Sequence, residues 1–265
     1  MTDLPRGFRV ARRALVRRYA AVSLAWLCTA SCTHDIQLAP AAPLASIVTT
    51  AGPWTSMIFA ARTDSGVLLI DLGWGRADAG VRRALRDIGA TPDDVKWAFI
   101  THAHRDHIAG WTTVPRATFV LGRDEVPLFT GSATYRGPVP RIADRLNDYQ
   151  RPTPDDVRLI PLGGDTLFVF GRDTLRAYAV PGHTPGSMAY LFRETLFVGD
   201  AANRGVVGDF RGTLSIYSDS VPQSRTSMIA LLARLDTSRV RWRTLCTAHA
   251  KCAVVDSALR AQITR

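Results

Sequence analysis

Three of the six histidines in this chain fall within six residues: His102, His104 and His107, with Asp106 immediately before the last. The segment reads Thr101-His102-Ala103-His104-Arg105-Asp106-His107. Imidazole nitrogens and carboxylate oxygens are the donors that zinc and similar divalent ions take. So dense a cluster points to a metal site rather than to a polar surface loop. The preceding run, Val95-Lys96-Trp97-Ala98-Phe99-Ile100, reads as a short buried strand. The ligands are therefore expected on the loop leaving a strand end, held by a rigid element and open to a cleft.

The remaining candidates share that arrangement. His183 lies in Val180-Pro181-Gly182-His183-Thr184-Pro185-Gly186-Ser187, after the strand-like run from Leu175 to Val180. His249 follows Arg243 to Thr247 in Cys246-Thr247-Ala248-His249-Ala250-Lys251, and Asp200 ends Leu196-Phe197-Val198-Gly199-Asp200. Singly, each reads more readily as a satisfied structural residue than as a ligand. Together they repeat one pattern of strand, then His or Asp, then small residues. Leu68-Leu69-Ile70-Asp71 ends in the same way, although four residues are too few to establish an internal duplication.

In order along the chain, the H-x-H-x-D-H window, the Pro-Gly-His-Thr-Pro-Gly-Ser segment, the Gly-Asp strand end and the late Thr-Ala-His resemble the motifs of the metallo-β-lactamase superfamily. The resemblance runs from about Ala45 to the C-terminus. It implies an α/β fold, an αββα sandwich of two mixed β-sheets packed face to face and flanked by helices, with metals at one edge. It implies that His102, His104 and His183 hold one metal and that Asp106, His107 and His249 hold the other, with Asp200 bridging. Asp71 matches an early strand-end Asp that supports the metal loop by hydrogen bonds, as carboxylates behind ligands commonly do.

The chemistry implied is that of two Zn2+ ions, or other divalent metals. Two metals roughly 3.5–4 Å apart can share a water and lower its pKa toward about 7. The resemblance thus implies a dinuclear zinc-dependent hydrolase acting on an ester, lactone or related carbonyl of a small molecule through metal-bound hydroxide. Asp106 is the residue assigned to catalysis as well as to metal. Ser187 is read as a turn residue, not a nucleophile. The Asp200 bridge resembles the lactonase and glyoxalase II branches more than the β-lactamases. The all-histidine type of β-lactamase stays as the alternative, since no Cys occupies a ligand position. Lactonases of the acyl-homoserine type carry Tyr three residues beyond the bridging Asp, where this chain has Asn203. An iron redox enzyme such as a persulfide dioxygenase is the alternative from another class, and a noncatalytic envelope metal-binding protein a third. Flavodiiron relatives replace the second His by Glu, and His104 argues against that branch.

Several apolar runs are nearly continuous, as expected of strands buried between layers. Strands are expected near Ser46–Thr50, Ser56–Ala61, Val67–Asp71, Val95–Ile100, Thr118–Leu121, Leu167–Phe170, Leu175–Val180, Met188–Phe192, Thr195–Val198 and Thr244–Thr247. Helices are expected over Asp78–Ile88, Arg123–Leu128, Arg141–Tyr149, Gln223–Leu235 and Val254–Ile263. With 46% hydrophobic residues, the chain has material for a substantial core. The insert from Gly131 to Pro154 is expected to fold over the site and select the substrate.

The N-terminus reads separately. Six arginines precede a short apolar run from Tyr19 to Leu27, followed by Cys28-Thr29-Ala30-Ser31-Cys32, the layout of an export signal. That run is shorter than the roughly 20 residues a spanning helix needs. Thr29-Ala30-Ser31-Cys32 resembles a lipoprotein processing box, with Thr29 where Leu is usual. Acylation of Cys32, through which alone the chain is expected to meet a membrane, and simple cleavage nearby both stay open. Residues 1–31 are thus read as an export signal, 32–44 (with His34 and the Ala/Pro stretch) as a tether, and 45–265 as the catalytic domain of a periplasmic or envelope-attached protein. The first 31 residues carry six Arg and one Asp, a net of +5, which is half of the formal charge of +10. The remainder is spread along the chain without the clustered basic face of a nucleic-acid binder. Cys246 and Cys252 bracket His249. A disulfide between them and two separate thiols are both open, because the pairing depends on a Cα distance. The sequence leaves the oligomeric state undetermined.

Overall fold

In the computed structural model the described residues are 44–51, 54–74, 77–146, 150–204, 210–250 and 252–263. The expected export signal, nearly all of the expected tether, Cys28, Cys32 and His34 lie outside them.

The first sheet takes its strands in chain order: β1 (Leu44–Ala51), β2 (Trp54–Thr63), β3 (Gly66–Ile70), β4 (Val95–Phe99), β5 (Thr118–Gly122) and β6 (Arg158–Leu162). Its first three strands are antiparallel, and β3 through β6 run parallel. In the second sheet β7 (Thr166–Phe170), β8 (Asp173–Ala179), β9 (Met188–Phe192) and β10 (Thr195–Phe197) form an antiparallel meander. A ribbon of β11 (Ala202–Arg204) and β12 (Phe210–Gly212) stands apart. Then β13 (Thr244–Cys246) joins β10 in parallel, and β14 (Ala253–Val254) closes that edge. The helices are α1 (Ala77–Asp87), α2 (Arg105–Ile108), α3 (Val126–Phe129), α4 (Pro138–Leu146), α5 (Val221–Thr237) and α6 (Ser257–Ile263).

Side-chain alternation assigns the layers. Along β3, Leu68 and Ile70 enter the core between the sheets, with Phe99, Phe170, Tyr190 and Phe197. Val67 and Leu69 point the other way, onto Val81, Ala84 and Leu85 of α1. Both faces of the strand are buried, which is why it is apolar without interruption. The outer face of the second sheet packs Ala189, Leu191 and Leu196 against Met228, Leu231, Leu232 and Leu235 of α5. The Tyr190 hydroxyl donates to Ile100 O at 2.7 Å, so this fully buried side chain is satisfied from the opposite sheet.

Several expected elements are revised. The strands expected from the sequence do not include β6, which carries Pro161, a residue with no N–H to give a ladder. The strand is at the sheet edge, where proline is tolerated. The expected helix over Arg123–Leu128 is a 3-10 turn, Arg123–Glu125, followed by the single turn of α3, with Pro127 near its start. The helix expected from Val254 begins at Ser257, and Val254 lies in β14. The helix expected over Arg141–Tyr149 starts earlier, with Pro138 at its first position, where a missing N–H costs nothing. Asp106 and His107 are not on a loop. They sit in α2, with His104 at its N-cap position.

Candidate metal centre

The seven candidate side chains converge where strand ends from both sheets meet. Thr101 follows β4, and its carbonyl accepts Met188 N–H of β9 at 2.8 Å, tying the two sheets together beside the first histidines. Val198 N–H donates to Cys246 O at 3.0 Å and Ala248 N–H to Gly199 O at 3.1 Å, which brings the Asp200 and His249 loops side by side. The His183 turn is held by the start of α5: Ser220 N–H donates to Gly182 O at 2.8 Å and Asp219 N–H to His183 O at 3.0 Å. Each ligand-bearing loop is therefore anchored by backbone hydrogen bonds before any side chain acts.

The donors form two groups. The ligand atoms of His102, His104, His183 and Asp200 lie within 4.8 Å of one another, as do those of Asp106, His107 and His249. In the first group His183 Nε2 stands 3.1 Å from both His102 Nε2 and His104 Nδ1. In the second, Asp106 Oδ2 lies 3.5 Å from His107 Nε2 and 3.5 Å from His249 Nε2. Asp200 belongs to both: its Oδ2 is 3.6 Å from His183 Nε2 and 3.0 Å from His249 Nε2, and its Oδ1 is 3.9 Å from His107 Nε2.

Neighbours behind the rings set the tautomers. His183 Nδ1 faces Thr213 Oγ1 at 2.8 Å and Ser218 Oγ at 2.9 Å. His107 Nδ1 faces Asp71 Oδ2 at 2.8 Å. With Nδ1 engaged in each, Nε2 is the nitrogen that faces the centre: as a lone pair in His183, and in His107 once a cation displaces its proton. Asp71 also accepts Thr101 N–H and the Thr101 hydroxyl, both at 2.8 Å. It adopts φ of 55°, a left-handed conformation that Asp tolerates better than most residues.

Burial and charge oppose each other here. Burial, reinforced by the neighbouring imidazoles, pulls the pKa of His102 well below the ordinary histidine value. Burial likewise dominates at His104 and at His183, which comes down to about 4. These rings are neutral, the state that binds metal. At His107 burial also lowers the pKa, but the carboxylates of Asp106 and Asp71, with Asp200, outweigh it and push the value up to about 9. Burial raises the Asp200 pKa, and the imidazoles of His249, His183 and His107 more than reverse this.

The residues fit divalent cations. Neutral ring nitrogens about 3 Å apart turn lone pairs toward one another, an arrangement that a cation between them makes favourable. His107 Nε2 and Asp200 Oδ1 are buried without a hydrogen-bond partner, and such orphans ordinarily mark an absent water or ion. The second group is the more open one: the side chain of His249 is 27% exposed and that of Asp106 14%, against 1% for His183. The centre therefore meets solvent on the Asp106–His249 side.

Two residues beside the site had no distinctive sequence signal. Glu125 is fully buried while Asp124 next to it is exposed. Tyr135, in the Gly131–Pro154 insert, packs its ring edge-on to His104 with centroids 5.0 Å apart. Of the cysteines, Cys246 and Cys252 form a disulfide that closes the loop carrying His249. Ser187 is a turn residue, its Oγ accepting Thr184 N–H at 3.0 Å.

A sandwich with histidines and aspartates at the ends of its strands defines a class of metal-binding α/β proteins. The family model described as the metallo-beta-lactamase superfamily matches residues 51–249, and the chain belongs to that superfamily. It is 33% identical over 145 residues to a hydroxyacylglutathione hydrolase of Shewanella sp. (strain ANA-3), covering 53% of this chain and 45% of that one. It is 30% identical over 122 residues to an N-acyl homoserine lactonase of Agrobacterium fabrum, covering 44% and 43%. The chain spans about half the length of the curated relatives it matches. Among solved structures, a metallo-β-lactamase superfamily protein from Sulfolobus tokodaii superimposes with a TM-score of 0.60 at 19% identity, over 81% of this chain and 82% of that one. At that identity the likeness concerns the fold.

Proposed function

We propose that the protein is a dinuclear zinc hydrolase of an ester, lactone or related carbonyl substrate. The observation that carries this reading is Asp200, whose carboxylate reaches donors of both groups at 3.0–3.9 Å. In this reading His102, His104 and His183 hold one ion, and Asp106, His107 and His249 the other, with Asp200 shared between them. Two divalent cations there would supply Lewis acidity, lowering the pKa of a water between them and polarising a substrate carbonyl. The chain's own residues do the rest. Asp71 keeps the Nε2 lone pair of His107 turned inward, and Thr213 and Ser218 do the same for His183. Asp106 and Asp200 offset the positive charge, and the open Asp106–His249 side admits the substrate.

The relatives named for lactone and glutathione-thioester hydrolysis support a carbonyl substrate cleaved by water. The order of expectation is lactone or other carboxylic ester first, β-lactam second and thioester third. Purified protein should carry close to two zinc-like ions per chain. A metal-saturated preparation holding one iron would replace this reading with the redox alternative. Turnover should be screened on a lactone, an aryl ester, a penicillin-type amide and a thioester. Robust β-lactam cleavage with none on esters would move the assignment to the all-histidine β-lactamase branch. In the native host we further propose export, with residues 1–31 removed, 32–44 as a tether and residues 45–265 acting in the periplasm or at the envelope. Mass spectrometry of the mature chain tests this, and a full-length cytoplasmic chain would overturn it.

A further inference from the structure

Ala103, the spacer between His102 and His104, has both of its backbone polar groups held by buried side chains. Its N–H donates to Glu125 Oε2 at 2.7 Å, and its carbonyl accepts the Tyr135 hydroxyl at 2.6 Å. The second oxygen of Glu125, Oε1, accepts Gly186 N–H at 2.8 Å, three residues beyond His183. One carboxylate thus bonds at once to the loop carrying His102 and His104 and to the turn carrying His183. The backbones there leave no room for adjustment: a Cβ on Gly186 would lie 2.7 Å from Glu125 N, and one on Gly122 would lie 2.0 Å from Gly186 O. Tyr135 is fixed in turn by Arg151, whose Nη2 donates to its hydroxyl at 3.1 Å and which also pairs with Asp144 and the Leu128 carbonyl.

A fully buried carboxylate is costly unless its lone pairs are satisfied. Glu125 meets that requirement largely through the two loops whose separation sets the three-histidine site. We propose that Glu125 and Tyr135 are positioning residues for that site. They clamp the Ala103 peptide, so that the distance between the paired ring nitrogens, and hence the affinity for the metal held there, depends on them. Neither touches the reacting atoms. The inference rests on the metal-centre reading above.

The test is zinc titration of apo-protein against a chromophoric chelator, together with the absorption spectrum of the cobalt-loaded protein. Glu125→Gln keeps the shape but sets an amide nitrogen against one of the two N–H donors. Tyr135→Phe removes the hydroxyl and keeps the ring on His104. Partners behind metal ligands are commonly worth about 10–100-fold in affinity. The expected result is a loss in that range at one zinc equivalent in Glu125→Gln, and a loss near its lower end in Tyr135→Phe. The other equivalent stays close to wild type, and the cobalt spectrum is altered. A folded Glu125→Gln with wild-type zinc affinities and cobalt spectrum, less stable only to heat, would overturn the clamp. Should that variant fail to fold, an unchanged affinity in Tyr135→Phe overturns it instead. Wild-type chain that binds no zinc removes the metal-centre reading itself, whereas wild type with two ions and unaffected variants removes only the clamp.

Discussion

The Oδ2 atom of Asp71 lies 2.8 Å from Nδ1 of His107, and both side chains are buried. Thirty-six residues separate them in the chain, and the parallel pairing of β3 with β4 brings them together. Asp71 selects the tautomer of His107 without facing the centre. Asp71→Ala is expected to lower affinity at the Asp106–His107–His249 group by about 10–100-fold, the usual range for such partners, and to leave the three-histidine group nearly unchanged. Chelator competition resolves the two equivalents. Equal weakening of both would show Asp71 to be a general fold element.

Asp106 and Asp200 should separate a private ligand from a shared one. Asp106→Ala removes one donor from the more exposed group, so it is expected to keep about one metal and lose most activity. Asp200→Ala removes a carboxylate that faces both groups, so both ions should bind more weakly, with activity partly restored by excess zinc. Metal analysis beside a zinc-rescue assay decides, and full metal content in Asp200→Ala would contradict a shared role.

The disulfide between Cys246 and Cys252 closes the segment that presents His249. Cys252→Ser frees that loop while leaving buried Cys246 in place. The expected effect is weaker binding at the His249 group alone, seen as a second zinc equivalent that shifts while the first does not. A titration identical to wild type would mean that backbone bonds such as Ala248 N–H to Gly199 O suffice.

Gly199 supports the site by having no side chain. Its φ is 53°, and a Cβ there would stand 2.5 Å from Thr101 Oγ1, the hydroxyl that donates to Asp71. Gly199→Ala is therefore expected to cost about 2 kcal/mol or more, from left-handed strain of about 1–2 kcal/mol and displacement of Thr101. Denaturant unfolding of apo-protein measures it. A change under about 0.5 kcal/mol, the usual range of harmless surface substitutions, would show that Thr101 moves freely.

The sequence by itself determined the donor types and most strands. The cluster of His102, His104, Asp106 and His107 is legible because ligand chemistry requires particular side chains close together, and β3 and β9 because burial on both faces leaves unbroken apolar runs. What it left open depends on distances between remote segments. Glu125 is indistinguishable in sequence from exposed Asp124, and only the 3-10 turn after β5 rotates one inward and the other out. The Cys246–Cys252 bond depends on the path of the His249 loop, and β6 on an edge position where Pro161 needs no partner. Asp200 spans two groups because β10 runs parallel to β13, which sets its loop beside that of His249. Residue chemistry is local and can be read from a list. Which donors share one ion is geometric, and strand order and register decide it.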